Sequence, residues 1–163
     1  MMILPILRWP DARLSTTCAP AVLSDALQAL AEDMLQTMYA AQGRGLAAPQ
    51  VGRLVRLFVM DIGWKDGART PVAMVNPEVL RVSDERASGP EGCLSIPGPL
   101  TVVERAAEVR LRWTGLDGAA REEDFAGFAS VCVQHEIDHL DGILTLDRIG
   151  PEARARAEAE VLA

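Results

Sequence analysis

The stretch GFASVCVQHEIDHL, Gly127 to Leu140, reads as one helix, with Gly142 placed where a helix stops. Phe128, Val131, Cys132, His135 and His139 recur along it at steps of three and four, so they share one face. The apolar half of that stripe leads into the only two histidines of the chain. One helical turn apart, His135 and His139 can both reach a single metal ion, and Glu136, one step round the helix, stands beside a water held there. The plainer alternative is a surface helix with two coincidental histidines, and the rest of the chain has to decide.

A catalytic centre of this kind generally takes three protein ligands and keeps one position for water. The chain has no histidine after His139, so a third donor must come from upstream. EGCLS, Glu91 to Ser95, offers Cys93 in a glycine-containing turn, a soft and strongly binding ligand. Taken alone, a free cysteine is more often a small buried hydrophobe.

Outward from these segments, Leu27, Leu30, Met34, Leu35 and Met38 mark a helix over Ser24 to Gln42, capped by Ser24 and ended by Gly43. It runs into the loop GRGLAAPQ, Gly43 to Gln50, whose glycines and small residues let another backbone or a ligand come close. Val55 to Asp61 reads as a buried strand, and Val72 to Val75 as a second one stopped by Asn76-Pro77. Val109, Leu111 and Trp113 alternate with Arg110 and Arg112, and Asp117-Gly118 predicts a hairpin to a partner strand near Glu122 to Phe125. A last, mostly solvated helix is expected from Pro151.

With 163 residues, 49% of them hydrophobic, the chain can enclose one sizeable core, and a single domain over 1–163 is expected. A formal charge of −7 works against specific DNA binding and against anionic lipid. No segment approaches the roughly 20 apolar residues of a membrane span, and Met1 to Pro10 lacks the pattern of a signal peptide. Cys18, Cys93 and Cys132 are too few, and odd in number, for a disulfide framework, so a cytoplasmic location is expected.

GRGLAAPQ, EGCLS and QHEIDH (Gln134 to His139) resemble the three signature motifs of the peptide deformylase family, in that family's order and at similar separations. The likeness spans nearly the whole chain. It implies an α+β fold, with antiparallel sheets around a central metal-binding helix. It also implies removal of the formyl group from the N-terminal formyl-methionine of newly made proteins, so the expected partners are formyl-methionyl nascent peptides. By the same resemblance Cys93, His135 and His139 hold one divalent ion per chain, Fe2+ in the cell, with Zn2+, Ni2+ or Co2+ able to take its place. Glu136 takes a proton from the attacking water and later gives it to the leaving amine. The Gln50 amide and the backbone N–H of Leu94 are the implied donors to the developing oxyanion.

Gly45 is expected to offer main-chain hydrogen bonds to an extended peptide, and Phe128, Val131 and Cys132 to line the methionine pocket. Glu91 and Asp138 are expected to accept the remaining ring N–H groups of the histidines, although either can instead pair with Arg105. A transient ribosome contact is compatible with the family but has no signature in the sequence.

Two positions depart from the family pattern. Arg44 stands where a branched aliphatic residue is usual, and Gly98-Pro99-Leu100-Thr101 lacks the arginine that many relatives carry after EGCLSIP. Arg44 either lays its stem along the pocket and directs its head to a substrate carbonyl or carboxylate, or snorkels into solvent. Among other readings, a zinc peptidase is disfavoured by the missing downstream ligand. A paralogue acting on other formyl or short acyl groups stays open, as does a non-catalytic peptide- or ribosome-binding relative. Glu136 and Gln50 argue against the last, since a binder has no use for a proton shuttle.

Overall fold

Ser24, the residue before the first long helix, accepts a 3.1 Å hydrogen bond at Oγ from the backbone N–H of Leu27, which satisfies one of the free donors of the opening turn. The structure, a computed structural model, describes residues 2–163. That helix, α1, spans Asp25–Ala40. Its end differs from expectation: Gln42, not Gly43, takes the left-handed conformation (φ 63°), and the Gly43 N–H reaches back to the Met38 carbonyl. Gly43 makes room for a neighbour instead: a Cβ there would lie 2.8 Å from Leu94 Cδ1, so that side chain would have to shift.

The expected loop after α1 contains a short strand, β1 (Gly45–Ala47), followed by a 3-10 turn over Ala48–Val51. Next come β2 (Leu57–Met60), β3 (Val72–Val82), β4 (Arg86–Cys93), β5 (Ile96–Ala106), β6 (Glu108–Thr114) and β7 (Ala120–Ala126). The chain then enters α2 (Gly127–Leu140) and, after a 3-10 turn, α3 (Pro151–Leu162). One antiparallel sheet has the order β1-β2-β3-β6-β7, and β4 and β5 form a separate hairpin. The α+β reading holds.

Asn76-Pro77 does not stop the second strand. β3 runs on to Val82 because a register shift between Val75 and Glu78 absorbs the proline, which has no N–H for the ladder. Asn76 itself (φ 50°) clamps the backbone of Ala21 through both atoms of its amide. The β6–β7 hairpin forms as expected, with Arg112 opposite Glu122.

The α2 helix is held against the sheet by Val133, Ile137 and Leu140, which pack with Phe58, Met74, Leu111 and Trp113. On the other side of the sheet, α1 buries Met34 and Met38 against Leu57 and Val59. The β4–β5 hairpin, which the sequence did not announce, folds over α2 and closes the third side of the site. Among the described residues no helix is long and apolar enough to cross a membrane.

Candidate metal centre and active site

Cys93 ends β4, and His135 and His139 lie on the buried side of α2, so the hairpin brings a thiol to a helix far away in sequence. The ligand atoms of these three residues lie within 4.8 Å of one another. Cys93 Sγ is 3.5 Å from His139 Nε2. The set fits a divalent ion: one soft donor and two imidazoles converge, and no disulfide consumes the thiol. His139 is buried with no partner at Nδ1, and burial, aided by the nearby His135 and Arg105, holds its pKa well below the ordinary value. A neutral imidazole is the form that ligates metal.

The orientation of His135 comes from Glu91, whose Oε1 lies 2.9 Å from Nδ1. That contact places the ring proton on Nδ1 and leaves Nε2 for the cluster. Burial opposes ionisation of Glu91, yet hydrogen bonds from His135 and Arg105 outweigh it and hold the carboxyl below its ordinary pKa. Burial likewise opposes charge on His135; with no ion bound, contacts with Cys93 and Glu91 overcome it and lift its pKa, and metal binding would release that proton from Nε2.

Asp138 takes the ion-pair alternative. Among the described residues it makes no hydrogen bond to either imidazole. Its oxygens instead receive Arg105 Nη1 at 2.9 Å and Arg148 Nη2 at 2.7 Å. Arg105 also grips Glu91, from Nε at 2.6 Å and Nη2 at 2.9 Å, so one buried guanidinium ties β4, β5 and α2 together. Arg148, not singled out in the sequence, is drawn into this network; an arginine shortly after Asp138-His139 was its one available signal. Replacing Arg105 by Met should lower stability by about 3–5 kcal/mol, because Glu91 stays buried without its guanidinium and Asp138 keeps only Arg148. Urea denaturation of the zinc-loaded and zinc-free protein measures this, and a change below about 1 kcal/mol would refute the role.

Glu136 lies 4% exposed at the floor of the cleft, and its Oε1 has no partner. Burial pushes its pKa up to about 7, against the pull of His135 and Arg105. The backbone of Gly45 passes so close that a Cβ would lie 2.5 Å from Glu136 Oε2 and 3.2 Å from Cys132 Sγ. A Gly45→Ala variant must therefore displace the carboxylate, and a shift near 1 Å in such a group lowers turnover by about 10²-fold. Formate release with unchanged far-UV circular dichroism checks this; wild-type kinetics would contradict it.

Gln50 is 2% exposed. The Ala47 N–H fixes its Oε1 at 3.0 Å, and its Nε2 is turned toward Ser95 Oγ at 3.0 Å and Cys93 Sγ at 3.7 Å. Ser95 was not singled out in the sequence, where a serine in a turn carries no distinguishing signal. Leu94 sits in the turn between β4 and β5 and lines the cleft.

The cleft has a volume of about 790 Å³. Arg44, Phe128, Val131 and Cys132 line it with Gly45 and Glu136. Burial raises the Cys132 thiol well above its ordinary pKa, which makes it a neutral wall and not a nucleophile. Gly45 pairs with Met60 on β2, and among the described residues β1 has no neighbour on its other side. Since the Asp61 N–H bonds to the Arg44 carbonyl, alternation along an antiparallel pair turns the N–H and C=O of Gly45 toward that open edge.

Residues 3–155 match the family model described as polypeptide deformylase. A peptide deformylase of Alkalilimnicola ehrlichii is 50% identical over 157 residues, covering 96% of this chain and 87% of the relative. The crystal structure of a peptide deformylase from Legionella pneumophila superposes with a TM-score of 0.92 at 39% identity, covering 98% of this chain and 93% of that one. A class I type b peptide deformylase from Acinetobacter baumannii, with Met-Ala-Ser bound, is 38% identical with a TM-score of 0.83 and covers 90% of this chain and 98% of its own. The match of motifs, fold and nearly full length means that the chain belongs to the polypeptide deformylase family.

Proposed function

We propose that this deformylase hydrolyses the formyl amide at the N-terminal methionine of newly made peptides, with Glu136 as its proton carrier and Cys93, His135 and His139 as the holders of one divalent ion. The observation that carries the reading is the unpaired, buried Oε1 of Glu136 beside a Cys-His-His cluster whose ligand atoms lie within 4.8 Å of one another. When bound, such an ion supplies the Lewis acidity that makes water a competent nucleophile at neutral pH. Ferrous iron is the ion we assign in the cell, and the same donors accept zinc, nickel or cobalt.

The chain's own residues supply the rest. An extended peptide adds to the open edge of β1, where the main chain of Gly45 fixes its register and presents the formyl group to the floor of the cleft. Val131, Cys132 and Phe128 give the methionine side chain an apolar wall. Glu136 Oε1 takes a proton from the attacking water, and the carboxyl then passes it to the departing amine nitrogen. Charge on the formyl oxygen is met by the Gln50 Nε2–H, whose aim the Ala47 N–H fixes in advance, and by the Leu94 N–H. We assign the whole chain to one catalytic unit working in the cytoplasm on nascent chains. Release of stoichiometric formate from formyl-Met-Ala-Ser by protein loaded with one metal equivalent tests the proposal. Metal retention without formate release would refute it.

A further inference from the structure

The mouth of the cleft carries positive charge that deformylation itself leaves unused, in a chain whose formal charge is −7. Arg44 keeps 33% of its side chain exposed, and its Cζ lies 5.3 Å from the ring centroid of Phe128, which braces the guanidinium over the cleft. Its Nε is buried and has no hydrogen-bond partner. Its salt-bridge contact, Nη2 to Asp66 Oδ2, is 3.9 Å long and reaches an acid that is 85% exposed, too far and too wet to satisfy a partly buried guanidinium.

Lys65 lines the same cleft, with Nζ 5.8 Å from the ring of Trp64. Trp64 Nε1 in turn donates to the Gly43 carbonyl at 2.9 Å, so the segment bearing Lys65 is tied to the one bearing Arg44. Across the cleft, Leu100 is 70% exposed and offers no charge.

We propose that Arg44, supported by Lys65, selects formylated peptides that carry a carboxylate just behind the methionine. The proposal rests on the deformylase reading given above. Gly45 lies against Glu136, where the formyl group reacts, and Arg44, the residue before it, lines the same cleft with a third of its side chain exposed. The group it meets therefore belongs to the residues that follow methionine. A carboxylate can engage the two Nη groups of a guanidinium together and brings the opposite charge; an amide carbonyl fills one donor only and brings no charge. The carboxylate has two sources: an Asp or Glu side chain in the second or third position, or the free C-terminus of a short peptide.

The experiment compares kcat/KM for formyl-Met-Asp-Ser-amide, formyl-Met-Ala-Ser-amide and formyl-Met-Lys-Ser-amide, with formyl-Met-Ala as free acid and as amide. The wild-type enzyme should favour the Asp peptide over the Ala peptide by about fivefold, disfavour the Lys peptide, and lose most of the preference in 0.5 M salt. A preference confined to the free-acid pair assigns the site to terminal carboxylates, and one confined to Asp assigns it to side chains.

Arg44→Leu should erase the acidic-to-neutral ratio. Arg44→Lys should restore part of it, and Lys65→Ala should reduce it without erasing it. Because each ratio is taken within one variant, altered folding or metal loading cancels. Equal rates for the Asp, Ala and Lys peptides in the wild type, together with equal rates for the free acid and the amide of formyl-Met-Ala and with formate still released, would overturn this inference alone. No formate from any peptide would overturn the deformylase reading beneath it.

Discussion

Glu136→Gln should abolish formate release, by at least about 10²–10⁴-fold, while the protein still binds one equivalent of metal. The amide keeps the shape and burial of the side chain but can neither take the proton of the attacking water nor return one to the leaving amine. In the wild type, kcat/KM should rise with pH through the ionisation of this group. A bound cation pulls that ionisation below the value of about 7 that the group has in the metal-free site.

The same substitution should have the opposite effect on the stability of the metal-free protein. The folded-state pKa of Glu136, about 7, lies above its ordinary 4.5, so the folded protein holds the proton more tightly than the unfolded chain does. Its stabilising contribution is full below pH 4.5 and is lost as pH rises through about 7. At pH 8 the metal-free Gln variant should therefore be more stable than the metal-free wild type by about 2–4 kcal/mol, a difference that vanishes toward pH 4.5. Denaturant unfolding at the two pH values measures it. A Gln variant less stable at pH 8 would mean that Glu136 is not a buried, unpaired acid.

Cys93→Ala should remove metal and activity together. Loss of a residue that only orients a ligand weakens metal binding about 10–100-fold, and loss of the one thiolate among three donors should exceed that. Competition with a chromophoric chelator reads the affinity directly. Because Glu136→Gln keeps its metal and Cys93→Ala does not, the pair separates proton transfer from metal holding. Undiminished affinity in Cys93→Ala would break the assigned ligand set.

What the sequence disclosed follows from which residues obey simple periodicity. The α2 helix was legible because Phe128, Val131, Cys132, His135 and His139 repeat at helical steps, and the β6–β7 hairpin because Val109, Leu111 and Trp113 alternate with arginines. The β4–β5 hairpin was hidden because its alternation is chemically inverted. In β5, Leu100 and Val102 face solvent while Thr101 and Arg105 are buried beside Val103, since that face carries the polar network around Glu91 and Asp138. Asn76-Pro77 misled for a related reason: a turn signal was absorbed as a register shift inside a longer strand. Arg44 was visible as a departure from the family pattern, whereas its bracing by Phe128 and the vacancy at Nε depend on tertiary contacts.

The central claim is that one thiolate and two imidazoles, brought together by the β4–β5 hairpin and α2, share a single cation. X-ray absorption at the zinc edge of protein carrying one zinc equivalent tests it most directly. The account predicts a shell containing one sulfur and two imidazole nitrogens, with the sulfur lost in Cys93→Ala. A shell without sulfur in the wild type, or one unchanged by that substitution, would contradict it.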